Sequence, residues 1–216
     1  MNEKLIIKGA IEEITNPTFA ITKQLLSVHN VPFGNGISVI TRVDYDTKDG
    51  SAVVYFPFEE ESYFLAVYVD TYPEVSVRWI GTEPGNRVYH VVISKELNLD
   101  ELLSLAGITP TETWKIGDKI NKIRVHEDNG FIFEPNPERA DNLEDKIEKL
   151  LTHLEGVTEK IIYLPEKAEM QINIAYYGYK EQMWGWHLDK QTLKRLAQFN
   201  LEVDLDLYAG GPNLPD

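Results

Sequence analysis

The chain has 216 residues, with 35 acidic against 21 basic side chains, a formal net charge of −14 and no cysteine. Such a balance argues against nucleic acid and anionic membrane as partners, because phosphate repels like charge. The missing thiols remove disulfides, thiolate catalysis, iron–sulfur clusters and thiolate zinc sites.

No window approaches the roughly 18 uninterrupted apolar residues of a membrane helix. The opening "MNEKLIIKGAIEE" lacks the basic and apolar regions of a signal peptide, so a cytoplasmic location is the expectation. Up to Asn86 there are 12 acids and 6 bases (−6), and beyond it 23 acids and 15 bases (−8), so neither part is a basic module.

In chain order, residues 5–14 read as a strand. Residues 15–30 read as a helix in which Asn16 can cap, Pro17 fits the first helical position, and Ile21, Leu25 and Val28 share a face. Gly34 and Gly36 break the chain. Four strand-like runs follow, at 38–46, 51–58, 63–70 and 74–80. Asp49-Gly50 is a hairpin signal between the first two, Pro57 marks an edge or a strand end, and 63–70 is apolar on both faces, as a central strand would be. "GTEPGN" (81–86), with two glycines and a proline, is the best domain boundary.

Beyond it, strand and helix alternate. Residues 87–94 read as a strand. Residues 98–108 read as a helix with Asn98 as cap, Glu101 completing a capping box and Gly107 at the left-handed C-terminal position. Residues 109–119 read as a loop, and 120–135 as a hairpin turning at Asn129-Gly130. The longest helix spans 141–156, capped by Asp141 and Glu144, with Leu143, Ile147, Leu150, Leu151 and Leu154 as its buried stripe. A helical turn runs through 158–164 and a strand through 169–178. Asp189 caps a helix over 190–199, with Asn200 at its left-handed end. Residues 201–208 form a strand of strict period two.

Three phrases in this second part, "RVYHVVISKELNLDELLSLAGITPTETWKIGD", "NLEDKIEKLLTHL" and "GWHLDKQTLKRLAQFNLEVDLDLY", occur in an order and spacing that resembles the bacterial family known only as domain of unknown function 4279. The resemblance rests on Ala106, Gly107, Ile108, Thr109, Pro110 and Thr111, then Trp114, Gly117 and Asp118, and on the closing helix and strand. Asp189 stands where that family more often has serine, and both cap helices well. The resemblance covers about residues 87–208 and implies a fold but no activity. Residues 1–86 resemble nothing identified.

The segment 183–208 holds the candidates for a site. His187 with Asp189 reads either as a metal ligand or proton shuttle oriented by a carboxylate, or as a helix cap beside an interfacial ring; capping employs Asp189 fully. Trp184 and Trp186 bracket Gly185 and share a face in extended chain. With Tyr176, Tyr177 and Tyr179 nearby they are the best binding surface, if they are not core. Glu202, Asp204 and Asp206 line one side of a strand, about 7 Å apart, too far to enclose one ion unaided.

The expected architecture is α+β: an N-terminal helix plus antiparallel meander in 1–86, a mixed sheet with helices packed on one face in 87–208, and a flexible tail in 209–216. The expected function is that of a non-enzymatic acidic module for a basic partner protein, with immunity-like neutralisation as its concrete version. Its candidate residues are Trp184, Trp186, His187, Tyr177, Tyr179, Glu202, Asp204 and Asp206, with no metal and no cofactor. The rival is a small-ligand binder or enzyme with a pocket near Trp184, Trp186 and His187; a homodimer with purely structural contacts is a third option.

Overall fold

Ile6, Ala10 and Ile14 recur every four residues, and that spacing decides the start of the chain. The computed structural model, which describes residues 3–34, 36–46, 48–161 and 164–215, shows Glu3–Thr15 as helix α1, not the expected strand. Leu5-Ile6-Ile7 imitates a strand locally, but one face of a helix buries Ile6, Ala10, Glu13 and Ile14 together. On its outer face Lys8 and Glu12 pair one turn apart.

Helix α2, Ala20–Val28, begins later than the sequence suggests. Its N-cap is Phe19, which offers no side-chain bond. The cap comes from α1: the buried Glu13 carboxylate accepts from the backbone amides of Thr18 and Phe19, each at 3.1 Å, and from the Thr18 hydroxyl. Asn16 is thus not needed. Burial pushes the Glu13 carboxyl up, but the Thr18 hydroxyl and the amides outweigh it and leave it below its ordinary value.

Two short strands, β1 (Phe33–Gly34) and β2 (Ile37–Ser38), pair antiparallel. Then β3 (Arg42–Asp46), β4 (Ser51–Pro57), β5 (Phe64–Asp70) and β6 (Ser76–Glu83) form the antiparallel meander, in the order β3-β4-β5-β6. Val54, Val67 and Ile80 stand side by side across three strands and are all buried. They join Ile6, Ala10, Leu25, Phe56 and Leu65 in one core.

Only Pro84 separates β6 from β7 (Gly85–Ser94), so the expected boundary stretch is largely strand. Helix α3 (Leu99–Ala106) has the punctuation read from sequence: Asn98 and Glu101 form both bonds of the capping box, and Gly107 takes φ 63°. A short β8 (Glu112–Trp114) interrupts the expected loop, and β9 (Asn129–Phe133) follows.

Asn129-Gly130 is therefore a strand start and not a hairpin turn. The Asn129 amide donates to the Leu97 carbonyl and accepts from the Ile116 amide, which ties the pair to two other segments. Gly130 lies under the Trp114 indole, where a Cβ would clash.

Helix α4 (Leu143–Glu155) buries Leu143, Ile147, Leu150, Leu151 and Leu154 as expected. Its N-cap is Asn142, whose side chain does not cap the helix amides; Asp141 instead holds Asn136 and Lys149. Helix α5 (Thr158–Ile161) and a 3-10 turn (Leu164–Glu166) cover part of the helical turn expected over 158–164; residues 162 and 163 lie outside the described residues. Strand β10 (Glu169–Tyr179), helix α6 (Lys190–Gln198) and strand β11 (Glu202–Gly210) complete a five-stranded sheet of order β11-β10-β7-β9-β8. The chain is α+β, with an N-terminal helical layer, an antiparallel meander and this larger sheet with its helices.

Two compact units result: Met1–Gly85 with Tyr177–Trp184 and Leu207–Asp216, and Asn86–Tyr176 with Gly185–Asp206. In the second, β7 buries Asn86, Val88, His90, Val92 and Ser94 on one face. Lys146 is buried too, its Nζ donating to the Asn86 carbonyl at 2.6 Å. Burial pushes this amine down to about 8.

Two stability outcomes are expected. Glu13→Ala leaves the start of α2 uncapped and costs about 2 kcal/mol in urea unfolding. Burial of His90 pushes its imidazole down to about 4, so between there and the ordinary 6.5 the unfolded chain binds a proton that the folded chain refuses. Stability is then full above pH 6.5 and falls on acidification towards pH 4, by about 3 kcal/mol in all. His90→Gln should flatten the unfolding free energy across that window.

Candidate functional site

Asp189 stands at the N-cap of α6, where its carboxylate accepts from the amides of Gln191 at 3.0 Å and Thr192 at 2.7 Å. The Thr192 backbone bond, above all, holds this carboxyl below its ordinary range; the charge of His187 contributes least. His187 is exposed, and its backbone amide donates to the Glu144 carboxylate at 2.9 Å. Trp186 is 40% exposed. Among the described residues, no three His, Asp or Glu side chains converge to hold a metal.

Trp184 belongs to the other unit and is half-buried. Its indole lies against Gly178, where any Cβ would overlap the ring, and its Nε1 donates to the Tyr179 carbonyl at 3.4 Å. Tyr177 is half-buried and stacks on Tyr208, with ring centroids 5.1 Å apart.

Tyr179 is a core residue. Its hydroxyl donates to the Pro212 carbonyl, and its ring meets His29 and Tyr63. His29 pairs Nδ1 with the Leu25 carbonyl and Nε2 with the Tyr63 hydroxyl, and stacks on Phe58 at 4.2 Å. A carbonyl only accepts, so Nδ1 carries a proton. Residues 209–215, an expected flexible tail, supply Pro212 to this cluster and Leu214 against the core.

Glu202, Asp204 and Asp206 sit on β11, at one edge of the five-stranded sheet. Every residue of β11 is exposed except Leu205, which is half-buried. Both faces of the strand, carboxylates on one and Val203 on the other, therefore meet solvent. An edge strand also presents unpaired backbone N–H and C=O groups. Of the candidate residues, the structure collects these three on one accessible feature.

The sequence reading missed a second feature. Between β8 and β9 the chain makes a small hairpin: His126 N donates to Asp118 O, Gly117 N to His126 O, and Ile120 N to Arg124 O. Asn121 Oδ1 accepts from the amides of Ile123 and Arg124, each at 2.9 Å, and so shapes the tip. The base is set by Trp114, which stacks on His126 and donates to Asp128.

This hairpin exposes Ile116 (55%), Ile120 (47%), Val125 (49%) and Ile123, the last 93% open. Residues 119–125 carry Lys119, Lys122 and Arg124 and no acid, in a chain whose net charge is −14. That local reversal of sign was the available signal. The hairpin expected over 120–135, turning at Asn129-Gly130, places Ile120 to Val125 in one arm and so hides their own turn.

Two clefts remain. In the first unit an open apolar cavity of about 500 Å³ is lined by Ile21, Leu25, Trp79, Ile80, Met183 and Leu214. In the second, a polar cleft of about 410 Å³ is lined by Ser94, Lys95, Glu96, Asp128 and Glu166 among others. The Ser94 hydroxyl there is occupied structurally: it donates to the Lys167 carbonyl and accepts from the Leu97 amide.

Residues 84–210 match the model of one protein family, described as Domain of unknown function (DUF4279). No curated protein and no solved structure matches the chain.

Gly178→Ala is expected to drive the Trp184 indole off β10, at a cost of about 2 kcal/mol for the overpacked site. A red shift of tryptophan emission, absent in a Trp184→Phe background, would report it.

Proposed function

The chain belongs to the family described as Domain of unknown function (DUF4279), a description that assigns no activity, and from the geometry we propose that it works by binding a protein through the open edge of β11. One observation carries this reading: an edge strand, exposed along almost its whole length, alternates carboxylates with apolar side chains. Main-chain groups at such an edge accept an added strand, and the side chains decide which strand is welcome. Glu202, Asp204 and Asp206 reject an acidic segment and favour one that alternates basic and apolar residues.

The same pattern disfavours symmetric pairing of β11 with β11 of another copy, since carboxylates would then face carboxylates. Neutralising a basic target, as immunity proteins do, is the concrete version of this function. A second reading, a binder of small apolar ligands, draws on the cavity of about 500 Å³ beside Trp79 and Met183. It predicts binding that Met183→Asp abolishes and salt leaves untouched.

The test uses a synthetic peptide of alternating lysine and valine. Binding to the intact chain is expected at about 0.05 M salt and should weaken about tenfold or more by about 0.5 M. Asp204→Lys with Asp206→Lys should abolish it. Glu59→Lys with Glu74→Lys, an equal change of net charge at two exposed sites elsewhere, should leave most of it. Equal loss in both double variants would reduce the effect to general attraction and overturn the reading.

A further inference from the structure

The hairpin of residues 115–126 and the strand β11 lie towards opposite edges of one sheet. The order β11-β10-β7-β9-β8 puts β11 at one end, and the hairpin grows from β8 at the other. Four strand spacings, about 19 Å, keep them apart within a molecule.

Their chemistry is complementary. The hairpin tip offers Lys119, Lys122 and Arg124 with Ile120 and Ile123 between them and Val125 next in the chain. The strand offers Glu202, Asp204 and Asp206 with Val203 and Leu205 between them. Each has three charges of one sign, interleaved with apolar side chains, and each is exposed.

We infer that this face of the hairpin docks on β11 of a second copy of the chain, so that copies associate head to tail. The inference rests on the proposed function of β11 and names its partner. Three features favour a second copy over an anionic lipid surface. The remainder of the chain carries −17, from −14 overall less +3 for residues 119–125, and would be driven away from anionic lipid. The complement to the tip is already present, charge for charge, on the same protein. The tip is also shaped in advance by Asn121 and anchored by the Trp114–His126 stack, so docking orders little that is not already ordered. A contact between unlike surfaces does not close on itself in a pair; it leaves one hairpin and one edge strand free to continue, which gives chains or rings.

The experiment is sedimentation of the full chain over a range of concentrations. At about 0.05 M salt the mass should rise with concentration above the 24.7 kDa of one copy, and at about 0.5 M it should return to it. Asp204→Lys/Asp206→Lys and Lys119→Glu/Lys122→Glu should each be monomeric alone, since hairpin and strand then carry the same sign. Mixed together they should associate again, because each supplies the complement the other has lost.

Association that persists in either double variant alone, or a mixture that stays monomeric, overturns the inference. So does a wild-type chain that stays at 24.7 kDa in low salt. In that event the lysine–valine peptide separates the two ideas. If it binds the wild type and not the β11 variant, capture by β11 survives and only self-recognition fails; if it does not bind, both fail. Co-sedimentation of a monomeric wild type with phosphatidylserine vesicles, lost in Ile123→Asp, would give the hairpin to lipid and likewise overturn the inference.

Discussion

A polar group taken out of water must find its partner inside the protein, and in this chain those partners hold one element to the next. Glu13 on α1 receives the amides that open α2. His29, just past α2, is clasped between Leu25 and Tyr63. Lys146 on α4 reaches the carbonyl of Asn86 in β7, and the Asn129 amide joins β9 to Leu97 and Ile116. Apolar burial supplies most of the driving force but has no direction. These few bonds specify which helix end meets which strand, because breaking one leaves a buried group without water or partner.

This division explains what could be read in advance. The meander was legible because alternation along a strand is a local property, and so were the Asn98 box and the Asp189 cap, whose partners lie within three residues. Strand β11 was legible for the same reason. The start of the chain was not: Leu5-Ile6-Ile7 favours a strand locally, and only the face that Ile6 shares with Ala10, Glu13 and Ile14 makes α1 a helix. The caps at Asn16 and Asp141 failed differently. Each was a sound local acceptor, but a carboxylate from another helix took the first role, and Asn136 and Lys149 engaged the second.

The candidate site divides along the same line. Glu202, Asp204 and Asp206 could be placed on one side of a strand from sequence; that the strand is an edge could not, since strand order is a property of the whole sheet. Tyr179 and Trp184 were read with Trp186 as neighbours in sequence, yet Tyr179 is enclosed by His29 and Tyr63, and Trp184 is pinned over Gly178. His187 contributes its backbone to Glu144. The hairpin of 115–126 went unseen because the turn was expected at Asn129-Gly130, and because its apolar residues gain meaning only once they are found facing water.

The first unit is assembled from three separate stretches of polypeptide, Met1–Gly85, Tyr177–Trp184 and Leu207–Asp216. Its core counts Tyr179 as a full member, and Pro212 and Leu214 close on it. A ribosome delivering this chain in order releases the meander and both opening helices well before the residues that complete them. The early portion must wait, partly uncovered, while the intervening segment is made. Excising residues 1–85 for separate study would for the same reason yield a fragment lacking an inner wall.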